Sequence, residues 1–170
     1  MKTEDFRIAD ITNDSIVDGP GLRLTVFFQG CPHDCPGCHN PQTHDPNGGN
    51  VCTLSDIEAA IDKNPLLSGV TLSGGEPFLQ AGAAAQVARL AHEKGLDVIT
   101  YTGFTAQELE SKRASEPEAQ ALFLQSDYII EGRFIQSQRT LEKRFRGSKN
   151  QRIIDVAATK KANETIFCEL

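Results

Sequence analysis

The chain has no apolar run of the length a bilayer crossing needs, and its first ten residues mix Lys2, Glu4, Asp5, Arg7 and Asp10 with no apolar h-region. No membrane partner is expected, and a cytoplasmic location is the default. An excess of positive charge is also missing. The 17 Lys and Arg against 23 Asp and Glu leave a net charge of −6, which argues against nucleic acid as the main partner. Internal repeats, low-complexity tracts and a convincing linker are absent, so residues 1–170 are expected to form a single domain. No Ser–His–Asp arrangement or pair of carboxylates stands out, which removes the usual signs of hydrolytic acid–base chemistry. Cysteine is scarce, with five in the whole chain. The odd number and the crowding of three of them exclude a disulfide framework and point to a reducing compartment.

What is present is a dense cysteine loop, Gly30-Cys31-Pro32-His33-Asp34-Cys35-Pro36-Gly37-Cys38-His39-Asn40. Thiolates are soft ligands suited to iron–sulfur clusters, zinc or copper(I), and three without a nearby fourth leave one coordination position unfilled. In a cubane [4Fe–4S] cluster that vacancy is an iron open to a small molecule, whereas a structural zinc site is closed by a fourth protein ligand. His33, Asp34, His39 and His44 crowd the loop, so a Cys₃His zinc site is the rival. Structural zinc, however, usually takes its ligands from two separated knuckles. Cys52 and Cys168 read as spare thiols.

Apolar and β-branched runs alternate with helical patterns. Strands are expected at Leu22–Phe28, Val70–Leu72, Leu96–Tyr101, Asp127–Ile130 and Arg152–Val156, with Arg7–Ile11 as an edge strand. Ser55-x-x-Glu58 and Thr105-x-x-Glu108 read as capping boxes, Ala81–Lys94 as a helix closed by Gly95, and Pro117 as the start of another. Alternation of this kind implies an α/β fold with parallel β–α units. A closed barrel takes about 250 residues, so an open partial (β/α) barrel or open sheet of about five to six mostly parallel strands is expected.

The cysteine loop follows one strand and Ser73-Gly74-Gly75-Glu76-Pro77 follows the next, both at the edge where such folds build ligand sites. Paired glycines let the backbone approach a ligand, and Glu76 is a carboxylate able to meet an ammonium group. The plain alternative is a Gly-Gly turn. Asp18-Gly19-Pro20-Gly21 is a turn that either docks a partner or sets the entry of the first strong strand. Arg139, Lys143, Arg144, Arg146, Lys149 and Arg152 form a basic segment, either a solvated face or a contact surface.

Cys31-x-x-x-Cys35-x-x-Cys38 with Gly74-Gly75-Glu76 after the following strand resembles the radical S-adenosylmethionine (SAM) superfamily. Val17-Asp18-Gly19-Pro20-Gly21-Leu22-Arg23 and Phe27-Phe28-Gln29-Gly30-Cys31-Pro32 narrow the resemblance to the glycyl-radical activating enzymes. Tyr101-Thr102-Gly103-Phe104, Ile130-Glu131-Gly132-Arg133-Phe134 and Arg146-Gly147-Ser148-Lys149-Asn150-Gln151-Arg152 look most like the branch acting on anaerobic (class III) ribonucleoside-triphosphate reductase. The resemblance covers a core of about residues 10–156; Ala157 to Leu170 matches nothing in it.

The resemblance implies one [4Fe–4S] cluster per chain on Cys31, Cys35 and Cys38, with SAM chelated to the open iron. It also implies SAM contacts from Gly37, Cys38, His39, Ser73, Gly74, Gly75 and Glu76, Glu76 accepting from the amino group. Many superfamily members carry an aromatic residue before the third cysteine; Gly37 stands there, leaving adenine packing to His39 or Phe104. One electron from the reduced cluster would split SAM into methionine and a 5′-deoxyadenosyl radical that takes hydrogen from a glycine Cα, so the cofactor carries the hard step. No further catalytic side chain is required. The implied partners are the large subunit of the anaerobic reductase and a small reductant protein such as a flavodoxin or ferredoxin. Two other readings stand beside this one: activation of pyruvate formate-lyase or another glycyl radical enzyme, and a non-catalytic iron–sulfur electron carrier or structural zinc protein. An electron carrier has no use for Ser73 to Glu76.

Overall fold

The computed structural model describes residues 5–170. Its strands are β1 (Phe6–Ser15), β2 (Arg23–Phe28), β3 (Asn50–Cys52), β4 (Gly69–Gly74), β5 (Asp97–Tyr101), β6 (Tyr128–Glu131), β7 (Arg152–Asp155) and β8 (Phe167–Cys168). The helices are α1 (Leu54–Asp62), α2 (Ala81–Glu93), α3 (Ala106–Ser115), α4 (Pro117–Gln125) and α5 (Val156–Ala162). They build an α/β fold on one open sheet of order β3-β1-β2-β4-β5-β6-β7-β8.

The sheet has eight strands, more than the five or six expected. β2, β4, β5 and β6 are parallel and form its middle. β1 and β3 on one side and β7 and β8 on the other pair antiparallel. The two extra strands, β3 and β8, are three and two residues long, too short for an alternation pattern to register. β7 runs against β6 because a long loop, with no helical crossover, joins them, and a parallel return requires the crossover.

Alternation along the strands sorts the two faces. Leu24, Val26, Phe28, Val70, Leu72, Val98 and Ile129 pack in one cluster with the buried apolar residues of all five helices, including Ile57, Val87, Ala88, Leu109, Leu122 and Val156. Alanines at 81, 84, 85, 88 and 91 bury one side of α2, which lets it lie close to the sheet and to α4. The opposite face is more polar. Arg23, Thr25 and Thr71 are fully buried there, beside a small cluster of Ile99, Ile130 and Ile153 joined by Tyr101, Phe145 and Leu170.

Every guanidinium nitrogen of buried Arg23 has a partner: it donates to Thr71 Oγ1 at 2.7 Å, Pro20 O at 3.0 Å, Val70 O at 3.1 Å and Asp97 Oδ1 at 2.5 Å. Asp18 takes hydroxyl bonds from Ser15 and Thr25, and its carbonyl accepts from Thr71 at 2.9 Å. The Asp18–Gly21 turn is therefore tied to the helix-free face and sets the entry of β2.

Helix starts follow the capping rules with one shift. Thr105 and Glu108 form the expected capping box on α3. The box on α1 is Thr53 with Asp56, two residues earlier than Ser55 and Glu58, because Asp56 already returns the bond to the Thr53 amide. α2 ends before Gly95, which takes a φ of +76°.

Candidate functional site

The parallel strands β2, β4, β5 and β6 each run out at the same edge, and the four loops that follow them meet there. The loop after β2 is fixed first. Gln29 is buried and donates to the carbonyls of Gln42 at 3.0 Å and Asp45 at 2.7 Å, which folds residues 41–46 back beneath the cysteines. Gly30 N donates to Thr43 O at 2.7 Å and Cys31 N to His44 O at 3.2 Å. Further on, Cys38 N donates to Cys35 O at 3.1 Å and Asn40 N reaches Cys38 Sγ at 3.4 Å.

The loop after β4 touches it directly. Glu76 N donates to Gly30 O at 2.9 Å and Gly75 N to Phe28 O at 2.9 Å. A Cβ on Gly75 would overlap Gly30 O, and Gly74 sits at a φ of +97° against Phe28. Both glycines are thus demanded by the close approach of two strand exits.

A cavity of about 200 Å³ opens on this edge, lined by all three loop cysteines with His39, Gly74 and Gly75. The loops after β5 and β6 complete it with Thr102, Gly103, Gly132, Arg133 and Phe134. A larger adjoining space of about 700 Å³ shares His33, Cys35, Gly132, Arg133 and Phe134 with it. Cys52, on β3, and Cys168, on β8, line neither.

Three of the expected SAM contacts are not on the cavity wall. Gly37 is turned against the Gln136 side chain, which holds its Cβ position. Ser73 follows Thr71 on the helix-free face of β4 by strand alternation. Glu76 is fully buried, and its carboxylate is taken by protein donors: Phe78 N at 3.0 Å, Thr102 Oγ1 at 2.9 Å, Gly103 N at 2.9 Å and His33 Nε2 at 2.6 Å. No oxygen is left to face a ligand. Of the two aromatic candidates for adenine packing, His39 lines the cavity with its ring 4.9 Å from that of Phe134. Phe104 is turned away, edge-on to His33 at 4.6 Å.

Arg133, Phe134, Thr102 and Gly103 had no assigned role from sequence. The available signal was positional: each directly follows a parallel strand at the ligand-binding edge. Arg133 is held by a two-pronged pair to Glu108, at 3.1 and 3.0 Å, which pulls the Glu108 carboxyl below its ordinary range.

The donor set fits an iron–sulfur cluster. Among the described residues no group of three or more His, Cys, Asp or Glu side chains is gathered around one point. Three thiols on one wall suit a group whose irons are spread over the corners of a cube. Burial pushes the Cys31 thiol up to about 11 and raises that of Cys35, so both are protonated at neutral pH until a metal displaces the proton. His44, on the same wall, has a buried Nε2 with no protein partner.

Residues 17–154 match the family model described as a 4Fe-4S single cluster domain, and the chain is an iron–sulfur protein of that family. It is 34% identical over 144 residues to the anaerobic ribonucleoside-triphosphate reductase-activating protein of Vibrio cholerae, covering 80% of this chain and 89% of that one. The protein of the same name from Escherichia coli K12 is 33% identical over 144 residues, 80% of this chain and 90% of that one. The pyruvate formate-lyase-activating enzyme of Clostridium pasteurianum is 39% identical, but over 95 residues, 53% of this chain and 40% of that one.

Fold, cysteine loop and relatives define an activating enzyme of the radical SAM class. The chain belongs to the family of anaerobic ribonucleoside-triphosphate reductase-activating proteins, whose members it matches over most of their length and its own.

Proposed function

We propose that this chain installs a glycyl radical on the large subunit of an anaerobic ribonucleoside-triphosphate reductase, using one [4Fe–4S] cluster and SAM. Cys31, Cys35 and Cys38 hold the cluster, and the backbone of Gly74 and Gly75 with His39 and Phe134 receives SAM. Bound there, the cluster and SAM would supply one-electron chemistry strong enough to take hydrogen from a glycine Cα. The chain's own work is positional. Gly74 and Gly75, bare of side chains, let a ligand approach the backbone, while Gln29 and the carbonyls of Thr43 and His44 fix where the cysteine loop begins.

The observation that carries this reading is the set of three thiols and no fourth on one cavity wall, beside a glycine cradle at the ends of parallel strands. An electron carrier has no need of that cradle. The adjoining 700 Å³ space leaves room for a segment of the partner beside the cluster wall. A cytoplasmic setting and a small electron-donating protein complete the proposal, since the reaction consumes single electrons and is destroyed by oxygen. The domain acts as one unit over residues 1–170. Anaerobic reconstitution followed by iron and sulfide counting and a SAM-cleavage assay tests it. Four irons and four sulfides per chain with methionine release are expected. A cluster that forms but never cleaves SAM would move the protein to electron transfer.

A further inference from the structure

We propose that His33 is the positioning residue of the cysteine loop, and that Glu76, Thr102, Gly103 and Phe104 form its seat. Glu76 is then a clamp on the loop that carries the cluster ligands, and the SAM amino group is bound by other groups. The inference rests on the assignment of the cluster to Cys31, Cys35 and Cys38.

His33 lies midway between Cys31 and Cys35, so fixing its ring fixes the arc between two of the three ligands. Its side chain is 5% exposed and that of Glu76 is 0% exposed. A carboxylate only accepts, so the 2.6 Å contact has the imidazole Nε2–H donating to Glu76 Oε2. The further bonds on Glu76 tie that oxygen pair to its own loop and to the exit of β5. Phe78 N at 3.0 Å belongs to its own loop, while Thr102 Oγ1 and Gly103 N, both at 2.9 Å, belong to the exit of β5.

The rest of the seat is steric. A Cβ at position 103 would collide with the His33 ring, so the glycine of Thr102-Gly103-Phe104 is required by the imidazole it receives. The Phe104 ring meets His33 edge-on at 4.6 Å, and Phe104 N donates to Thr102 Oγ1 at 3.1 Å, which orients the hydroxyl toward Glu76. Residues from β2, β4 and β5 exits are thereby locked by one buried ion-pair-like contact. Buried networks of this kind are rigid when every member is satisfied, and here the Glu76 carboxylate is.

The test uses the full chain, reconstituted anaerobically without SAM, with loss of the oxidised cluster to a ferrous-iron chelator followed by absorbance. His33→Ala, Glu76→Gln and Gly103→Ala should each speed that loss about tenfold, the size expected from removing one hydrogen bond to a charged group. His33→Gln keeps an N–H donor at similar reach and should stay within about twofold of the parent. The double variant His33→Ala/Glu76→Gln should lose its cluster no faster than either single one, because both remove the same contact. Circular dichroism and thermal melting of the cluster-free proteins separate loss of the seat from loss of the fold. Parent-like retention in His33→Ala would overturn the inference, as would a double variant about a hundredfold faster, the product of two independent effects. So would a Glu76→Gln protein that keeps its cluster and loses only SAM affinity. If the parent chain assembles no four-iron cluster, or Cys31→Ala assembles one, the cluster assignment falls and this inference with it.

Discussion

Gly75 and Gly30 touch so closely that a Cβ on the first would overlap the carbonyl oxygen of the second, the same oxygen that accepts from Glu76 N at 2.9 Å. The cysteine loop and the glycine cradle are therefore one mechanical unit. Gly75→Ala should force them apart, lowering cluster-free stability by about 1–3 kcal/mol, the usual range for overpacking, and weakening SAM binding to the reconstituted protein. Gly95→Ala is the contrasting control, since that glycine has a positive φ, which Gly75 lacks, but nothing within 4 Å of its Cβ position. It should cost about 1 kcal/mol through backbone strain alone and leave SAM binding as it was. Chemical denaturation and equilibrium dialysis measure the two quantities.

Cys31→Ala, Cys35→Ala and Cys38→Ala should each abolish the four-iron cluster. Cys52→Ala and Cys168→Ala should not, because those thiols sit on β3 and β8 and line neither space at the site. Iron and sulfide content after anaerobic reconstitution is the measurement. A full complement in Cys35→Ala would remove that residue from the ligand set.

Burial lifts the thiols of Cys31 and Cys52 from 9.0 to about 11. Between those values the cluster-free fold binds more protons than the unfolded chain. Stability is then fully present below about pH 9 and falls as pH rises toward 11. Thermal melting of the cluster-free protein from pH 8 upward should show that decline, and Cys52→Ala should flatten part of it. An unchanged melting temperature across the window would contradict the burial argument.

The basic segment divides in two. The Arg146 side chain is 4% exposed and pairs with Glu169, and it also donates to Arg144 O at 3.2 Å. Arg144 is exposed, its guanidinium over the Phe145 ring at 4.8 Å. Arg146→Glu should therefore cost about 3 kcal/mol or more by leaving a buried charge facing Glu169, while Arg144→Glu should stay within about 0.5 kcal/mol. Arg139, Lys143, Arg144 and Lys149, all exposed, remain fair tests of partner docking on this surface, whereas Arg152 is paired with Glu131.

The sequence was most legible where one residue type has one use. Cys31, Cys35 and Cys38 pointed to a soft-metal group by softness and spacing, and the structure brings all three to one cavity; Gly74-Gly75 pointed to a close backbone approach, which the structure shows against Phe28 and Gly30. Parallel β2, β4, β5 and β6 were legible as apolar runs between helical patterns. The sequence position of Glu76 says which edge it occupies but not which way its carboxylate turns. That direction is decided by Thr102, Gly103 and His33, which lie 26, 27 and 43 residues away. β3 and β8 escaped because two or three residues carry no period, and the antiparallel return of β7 is a tertiary fact with no local signature. Phe134 illustrates a third limit. Position 37 holds a glycine where the resemblance leads one to expect an aromatic residue, and the ring beside His39 is supplied from the loop after β6.

The central claim is a radical delivered to a glycine of a protein partner, and electron paramagnetic resonance reads it directly. With reductant, SAM and the large anaerobic reductase subunit under strict anaerobiosis, the reconstituted chain should produce a glycyl radical doublet on that subunit, followed by ribonucleotide reduction. Changing the partner's radical glycine to alanine should abolish the doublet. A doublet that survives this change, or one that forms on pyruvate formate-lyase and never on the reductase, would contradict the account.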